Sequence, residues 1–154
     1  MGLSSKLGHF RTLSSAERSV LLLSVLMLPC VDVELRLRGW RRCHARLAAW
    51  AGGPPTAASW ATIPPHRVAW LVERAARIVP WPATCLRRSL VLWALLARAG
   101  TRADLRLGFR KTDGRFEAHA WVELGGVPLN DRPDVGTRYT VADRALSPGD
   151  WAEA

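Results

Sequence analysis

The spacing of apolar residues changes once along this chain. Before about residue 100 they recur every three or four positions, the period of helices buried on one face. From Asp104 they recur every second position, the period of strands. Residues 1 to 13 read as a loose start. Ser14-x-x-Glu17 then has the spacing of a capping box, and it predicts a helix over 15–28 ended by Pro29. A second helix is predicted over 32–51, with Val33, Leu37, Trp40, His44 and Leu47 on one stripe. Gly52-Gly53-Pro54-Pro55 stops it, and 52–63 reads as a linker. Pro64-Pro65 opens a third helix, with an apolar face of Val68, Leu71, Val72, Ala75 and Val79. Pro80 and Pro82 end it. Thr84 offers an N-cap for a fourth helix, Cys85 to Ala99, closed by Gly100. That helix is apolar nearly all round after Arg88, so it is predicted to be buried.

The strand half begins with Leu105, Leu107 and Phe109 alternating with Arg106, Gly108 and Arg110. Asp113-Gly114 signals a hairpin turn, and Phe116 to Leu124 is the returning strand. Gly125-Gly126 turns into a third strand, Val127 to Asp131, and Arg138 to Ala142 adds a fourth. Helices first and an antiparallel sheet after them place the chain in the α+β class. The division expected is an N-terminal helical region, 1–60, and a core, 61–154.

Composition narrows the class further. At 154 residues and 49% hydrophobic the chain is long and apolar enough to bury a core without disulfides or metals. The net charge of +9 comes almost entirely from arginine. Such a chain suits an anionic partner, whether nucleic acid, membrane surface or acidic peptide. The longest apolar run, Val20 to Pro29, is too short to span a bilayer. It reads either as a buried amphipathic helix or as an interfacial one. It also starts late and lacks a small-residue cleavage site, unlike a signal peptide. Three cysteines, Cys30, Cys43 and Cys85, then read as reduced thiols of a cytoplasmic protein.

Cys85, His119 and Asp131 stand out as one constellation. A thiol on the first turn of a helix sits where the helix dipole stabilises a thiolate and exposed N–H groups can hold an oxyanion. His119, on a strand, can take the thiol proton, and a third group must orient its ring. Asp131 meets His119 on one sheet face only if Glu123 pairs with Val127. That register predicts a three-residue loop, Leu124 to Gly126, or an equivalent bulge. The Asp113-Gly114 turn places Gly108 opposite His119, and the missing side chain there leaves room for a nucleophile or substrate. Arg106, Arg110, Glu117 and Trp121 share that face. One consistent layout packs the Cys85 helix on the His119 face and the N-terminal helices on the apolar face.

Three segments carry a more specific likeness: Thr84-Cys85-Leu86-Arg87-Arg88-Ser89-Leu90, Ala118-His119-Ala120-Trp121-Val122-Glu123, and Gly126-Val127-Pro128-Leu129-Asn130-Asp131. Over roughly 64–135 the chain resembles the transglutaminase-like leader peptidases of lasso-peptide biosynthesis, in their stand-alone form. The resemblance implies a transglutaminase/papain-like cysteine protease core, with Cys85 as nucleophile, His119 as base and then acid, and Asp131 as orienter. It implies cleavage of a ribosomally made precursor peptide between leader and core, with no cofactor. It implies two partners: a separate leader-binding recognition protein and an asparagine-synthetase-like lasso cyclase that joins the freed amine to a side-chain carboxylate. Trp81, Arg88, Gly108 and Trp121 are the candidate substrate contacts. An indole N–H of Trp81 can serve an oxyanion, or the ring can simply pack. Arg88 holds a substrate carbonyl or forms a structural salt bridge.

Other readings stand beside this one. The fold also hosts acyltransferases and non-catalytic peptide-binding modules. Cys30, Cys43 and His44 have metal-ligand types but neither the spacing nor a fourth ligand, so no metal is expected. The arginines between 36 and 46 lack interleaved aromatics and any nucleic-acid motif. They form either a solvated helix face or a docking face for an acidic partner.

Overall fold

The computed structural model describes residues 13–53, 60–112 and 114–142. Residues 1–12 of the expected loose start, half of the linker (54–59) and Asp113 therefore lie outside the described residues. Helix α1 (Ser15–Ala51) opens on the predicted capping box. Ser14 N–H donates to Glu17 Oε2 at 2.8 Å, and Glu17 N–H donates to Ser14 Oγ at 3.2 Å. The helix does not end at Pro29. The proline removes one N–H donor but the helical path runs on, and the break falls at Gly39, with φ 75° and ψ 175°. That left-handed φ costs a glycine little and any other residue much more. The break also divides the stripe expected across it. Val33 and Leu37 face out at 52% and 78% exposure, whereas His44 beyond the break is buried.

Helix α2 (Pro65–Ala76) starts on its proline and buries Val68, Leu71, Val72 and Ala75, as its spacing predicts. Glu17 of α1 accepts from Arg67 Nε at 2.6 Å and ties the two helices. Helix α3 (Cys85–Arg98) is buried at every position from Ser89 to Leu96. Burying each large apolar side chain there contributes roughly 1.5–3 kcal/mol. Such burial is possible because α3 lies in the middle layer. It packs on α1 and α2 on one side and on the sheet on the other.

The sheet has strand order β3-β2-β1-β4. Strands β1 (Asp104–Thr112) and β2 (Arg115–Leu124) pair with Thr112 opposite Arg115 and Gly108 opposite His119, the predicted register. Strand β3 is shorter than expected, Val127–Pro128. A helical turn, α4 (Val135–Arg138), takes up the start of the expected fourth strand and leaves β4 as Thr140–Val141. Leu105 and Val122 join the core cluster that contains Leu90 to Leu96. The Cys85 helix thus covers the apolar face of the sheet, contrary to the expected layout. The N-terminal helices pack behind it. Alternation explains the choice, because that face carries the apolar area to bury. Among the described residues no helix is long and apolar enough to cross a membrane.

Candidate active site

Cys85 is the first residue of α3 and is half-buried. Thr84 precedes it in extended conformation, at φ −65° and ψ 161°, but its side chain makes no capping bond. The first turn is held by its arginines. Arg87 pairs with Asp32 of α1 and donates to the Pro82 carbonyl at 3.1 Å. Arg88 Nη1 donates to Glu73 Oε2 of α2 at 2.8 Å. Of the two roles open to Arg88, the geometry is that of the structural salt bridge.

His119 lies on β2 and Asp131 follows β3. The imidazole Nε2 donates to Asp131 Oδ2 at 2.5 Å. Both side chains are largely shielded, at 21% and 18% exposure. A carboxylate can only accept, so the proton sits on Nε2 and Nδ1 is left as the basic nitrogen. The other carboxylate oxygen accepts from Arg132 N–H at 2.7 Å and fixes the Asp131 rotamer.

This contact forms although the hairpin loop is not the expected one. Leu124 pairs with Val127 and Glu123 with Pro128, so the loop is the two residues Gly125-Gly126, with φ of 58° and 80°. Continued along the ladder, that register would set Asp131 opposite Ala120 and on its face, away from His119. The chain leaves the ladder first. Leu129 N–H still donates to the Val122 carbonyl at 2.8 Å. The return bond, from Val122 N–H, goes to the side-chain Oδ1 of Asn130 at 2.8 Å. Asn130 thereby replaces one backbone acceptor and frees the chain to bring Asp131 across, the work expected of a bulge.

Sequence reasoning missed Asn130 and its partner Ser89. Asn130 Nδ2 donates to Ser89 Oγ at 3.0 Å, and Ser89 Oγ–H donates to the Ala120 carbonyl at 3.0 Å. Ser89 is fully buried inside an otherwise apolar helix stretch, and that polar intrusion was the signal for it.

The space beside Gly108 is not open. A Cβ there would meet Tyr139 Cβ at 2.8 Å and the Trp121 ring at 2.9 Å. Trp121 is itself fully buried and its indole donates to Glu123 Oε1 at 2.7 Å, so it offers no surface to a peptide. Gly108 and Trp121 build the wall behind His119. Tyr139 completes that wall, its ring 4.8 Å from the imidazole. Trp81 is 41% exposed in the segment leading to Cys85, so it is not a core residue.

The remaining cysteines and histidine behave differently. Burial, with Glu34 adding to it, pushes the Cys43 thiol up to about 11. Burial holds His44 below the usual histidine range, between the rings of Trp40 and Trp93. Cys30 is exposed. Among the described residues no three His, Cys, Asp or Glu side chains converge as a metal site.

Neither a curated protein nor a solved structure matches the chain. The family described as Transglutaminase-like superfamily matches residues 27–144. That span holds Cys85, His119 and Asp131 together with the helix and sheet that carry them. The protein belongs to the transglutaminase-like superfamily.

Proposed function

We propose that the protein is a cysteine peptidase that removes the leader from a lasso-peptide precursor. The superfamily includes cysteine proteases and acyltransferases. The observation that carries the reading is the bond from His119 Nε2 to Asp131, which leaves Nδ1 as a base in a core whose buried helix begins at Cys85. The likeness of the three segments around Cys85, His119 and Asp131 to leader peptidases supplies the substrate.

In this reading His119 takes the Cys85 proton and the sulfur attacks the scissile carbonyl. The tetrahedral intermediate collapses, the C–N bond breaks, and His119 returns the proton to the departing amine of the core peptide. Water, deprotonated by His119, then attacks the thioester. The leader leaves with a free carboxylate and the thiol is regenerated. Asp131 keeps the ring in one tautomer throughout. A separate leader-binding protein delivers the precursor, and an asparagine-synthetase-like cyclase consumes the freed amine.

The test is mass spectrometry of a precursor incubated with this protein and the leader-binding partner. Cleavage at one leader–core junction, lost in Cys85→Ala and in His119→Ala, is the expected result. Transfer of the leader acyl group to an added amine instead of water would favour an acyltransferase. Leader binding without cleavage, unchanged in Cys85→Ala, would favour a binding module.

A further inference from the structure

The hydrogen-bonded chain through Asn130 and Ser89 reaches the residue after His119 and the residue before Asp131, and it starts one helical turn after Cys85. Ser89 lies one helical turn after Cys85, and residues four apart share a helix face. Its hydroxyl donates to the carbonyl of Ala120, the residue after His119. It accepts from the amide of Asn130, the residue before Asp131. The amide's other end accepts from Val122 N–H of the same strand. Each of these bonds pairs a donor with an acceptor, and one orientation of the Asn130 amide serves both of its bonds. Ser89 is fully buried, and loss of either partner strands a buried polar group.

We infer that Ser89 and Asn130 are positioning residues, which hold the first turn of α3 in register with the His119–Asp131 pair. The inference rests on the peptidase reading above. Nothing else described joins these three places at once. The arginine ties of the same turn lead to Asp32 of α1 and Glu73 of α2, away from the sheet. Packing of α3 on the sheet is otherwise apolar. The Ser89 hydroxyl adds the directional bond that fixes how the helix start is turned toward the strand. Asn130 does two jobs with one side chain. It closes the ladder that β3 leaves early, and it passes the resulting position of Asp131 to the helix.

The experiment uses the full chain with its precursor peptide and leader-binding partner, and reads kcat and KM separately. It also reads the rate at which iodoacetamide alkylates Cys85 at pH 7, mapped by peptide mass spectrometry, with exposed Cys30 as internal reference. Ser89→Ala is expected to lower kcat about 10–100-fold, as small misplacements of reacting groups do, with KM little changed. The Cys85:Cys30 alkylation ratio should fall with it. Asn130→Asp keeps the acceptor for Val122 N–H and removes the donor to Ser89, so it should lose kcat similarly; it decides the matter if Ser89→Ala does not fold. Ser89→Thr, which retains the hydroxyl, should recover most of the loss. Folded variants with wild-type kcat and alkylation ratio would overturn the inference, as would a rise in KM alone or a threonine variant no better than alanine. A wild-type protein that neither cuts precursor nor alkylates faster at Cys85 than at Cys30 would overturn the peptidase reading itself.

Discussion

Gly108→Ala gives the wall behind His119 its sharpest test, because the structure reverses the usual sign. Gly108 lies in the interior of β1, and its φ is not among the positive ones. Alanine can adopt that backbone, so the unfolded-state term alone would stabilise the protein by about 0.4–1 kcal/mol. The new Cβ, however, would sit 2.8 Å from Tyr139 Cβ and 2.9 Å from two atoms of the Trp121 ring. Trp121 is fully buried, and the Tyr139 atom is the stem of its side chain rather than a movable tip. Overpacking of this kind costs roughly 1–3 kcal/mol. Taken at the middle of both ranges, the balance is a net loss of about 1 kcal/mol, which for a chain of this size lowers Tm by about 2–4 °C. Gly136→Ala is the control, since a Cβ there meets nothing within 4 Å. Urea and thermal unfolding of both variants beside wild type is the assay. A Gly108→Ala protein as stable as wild type, or more stable, would refute the packing argument.

Three more outcomes follow from other parts of the molecule. Arg87→Ala removes the tie from the first turn of α3 to Asp32, a shielded charged pair, and should cost about 1–3 kcal/mol in urea unfolding. Glu17 is held below the usual glutamate range, first by its hydrogen bond from Arg67 and then by Ser14 N–H. A depressed folded value stabilises above the unfolded one, and that contribution is lost as pH falls through the folded value; the acid-side decline in stability should therefore shrink in Glu17→Gln. Native alkylation should spare Cys43, whose thiol is pushed up to about 11, and modify exposed Cys30; equal labelling of the two would contradict the burial of Cys43.

Elements with one dominant cause were legible in the chain. The capping box opened α1, proline opened α2, and alternation with a tight turn placed Gly108 opposite His119. Competition between causes hid the rest. Pro29 signals a stop, yet a missing N–H can be absorbed while the helix stays packed. Gly39 is a single glycine inside a helical pattern, a weaker stop signal than Pro29, yet it takes the left-handed φ. Gly125-Gly126 suits a two-residue loop as well as a three-residue one, and the side chain of Asn130, four residues past the loop, then takes the place of a ladder acceptor for Val122 N–H. The three proposed catalytic positions were visible because their chemistry is unusual where it stands. Ser89 showed only as a polar residue in an apolar helix, and its bond to Asn130, 41 residues on, left no trace in the sequence of either. Tyr139 was expected on a strand, and only the fold brings its ring onto His119.

Leader cleavage as proposed requires Cys85 to be a nucleophile activated by the His119–Asp131 pair. A leader peptide carrying a C-terminal aldehyde, presented with the leader-binding partner, tests it most directly by intact-mass and peptide-mapping mass spectrometry. One adduct per chain is expected, on Cys85, absent in Cys85→Ala, strongly slowed in His119→Ala and slowed less in Asp131→Asn. No adduct, or one formed on Cys30 and indifferent to His119, would contradict it.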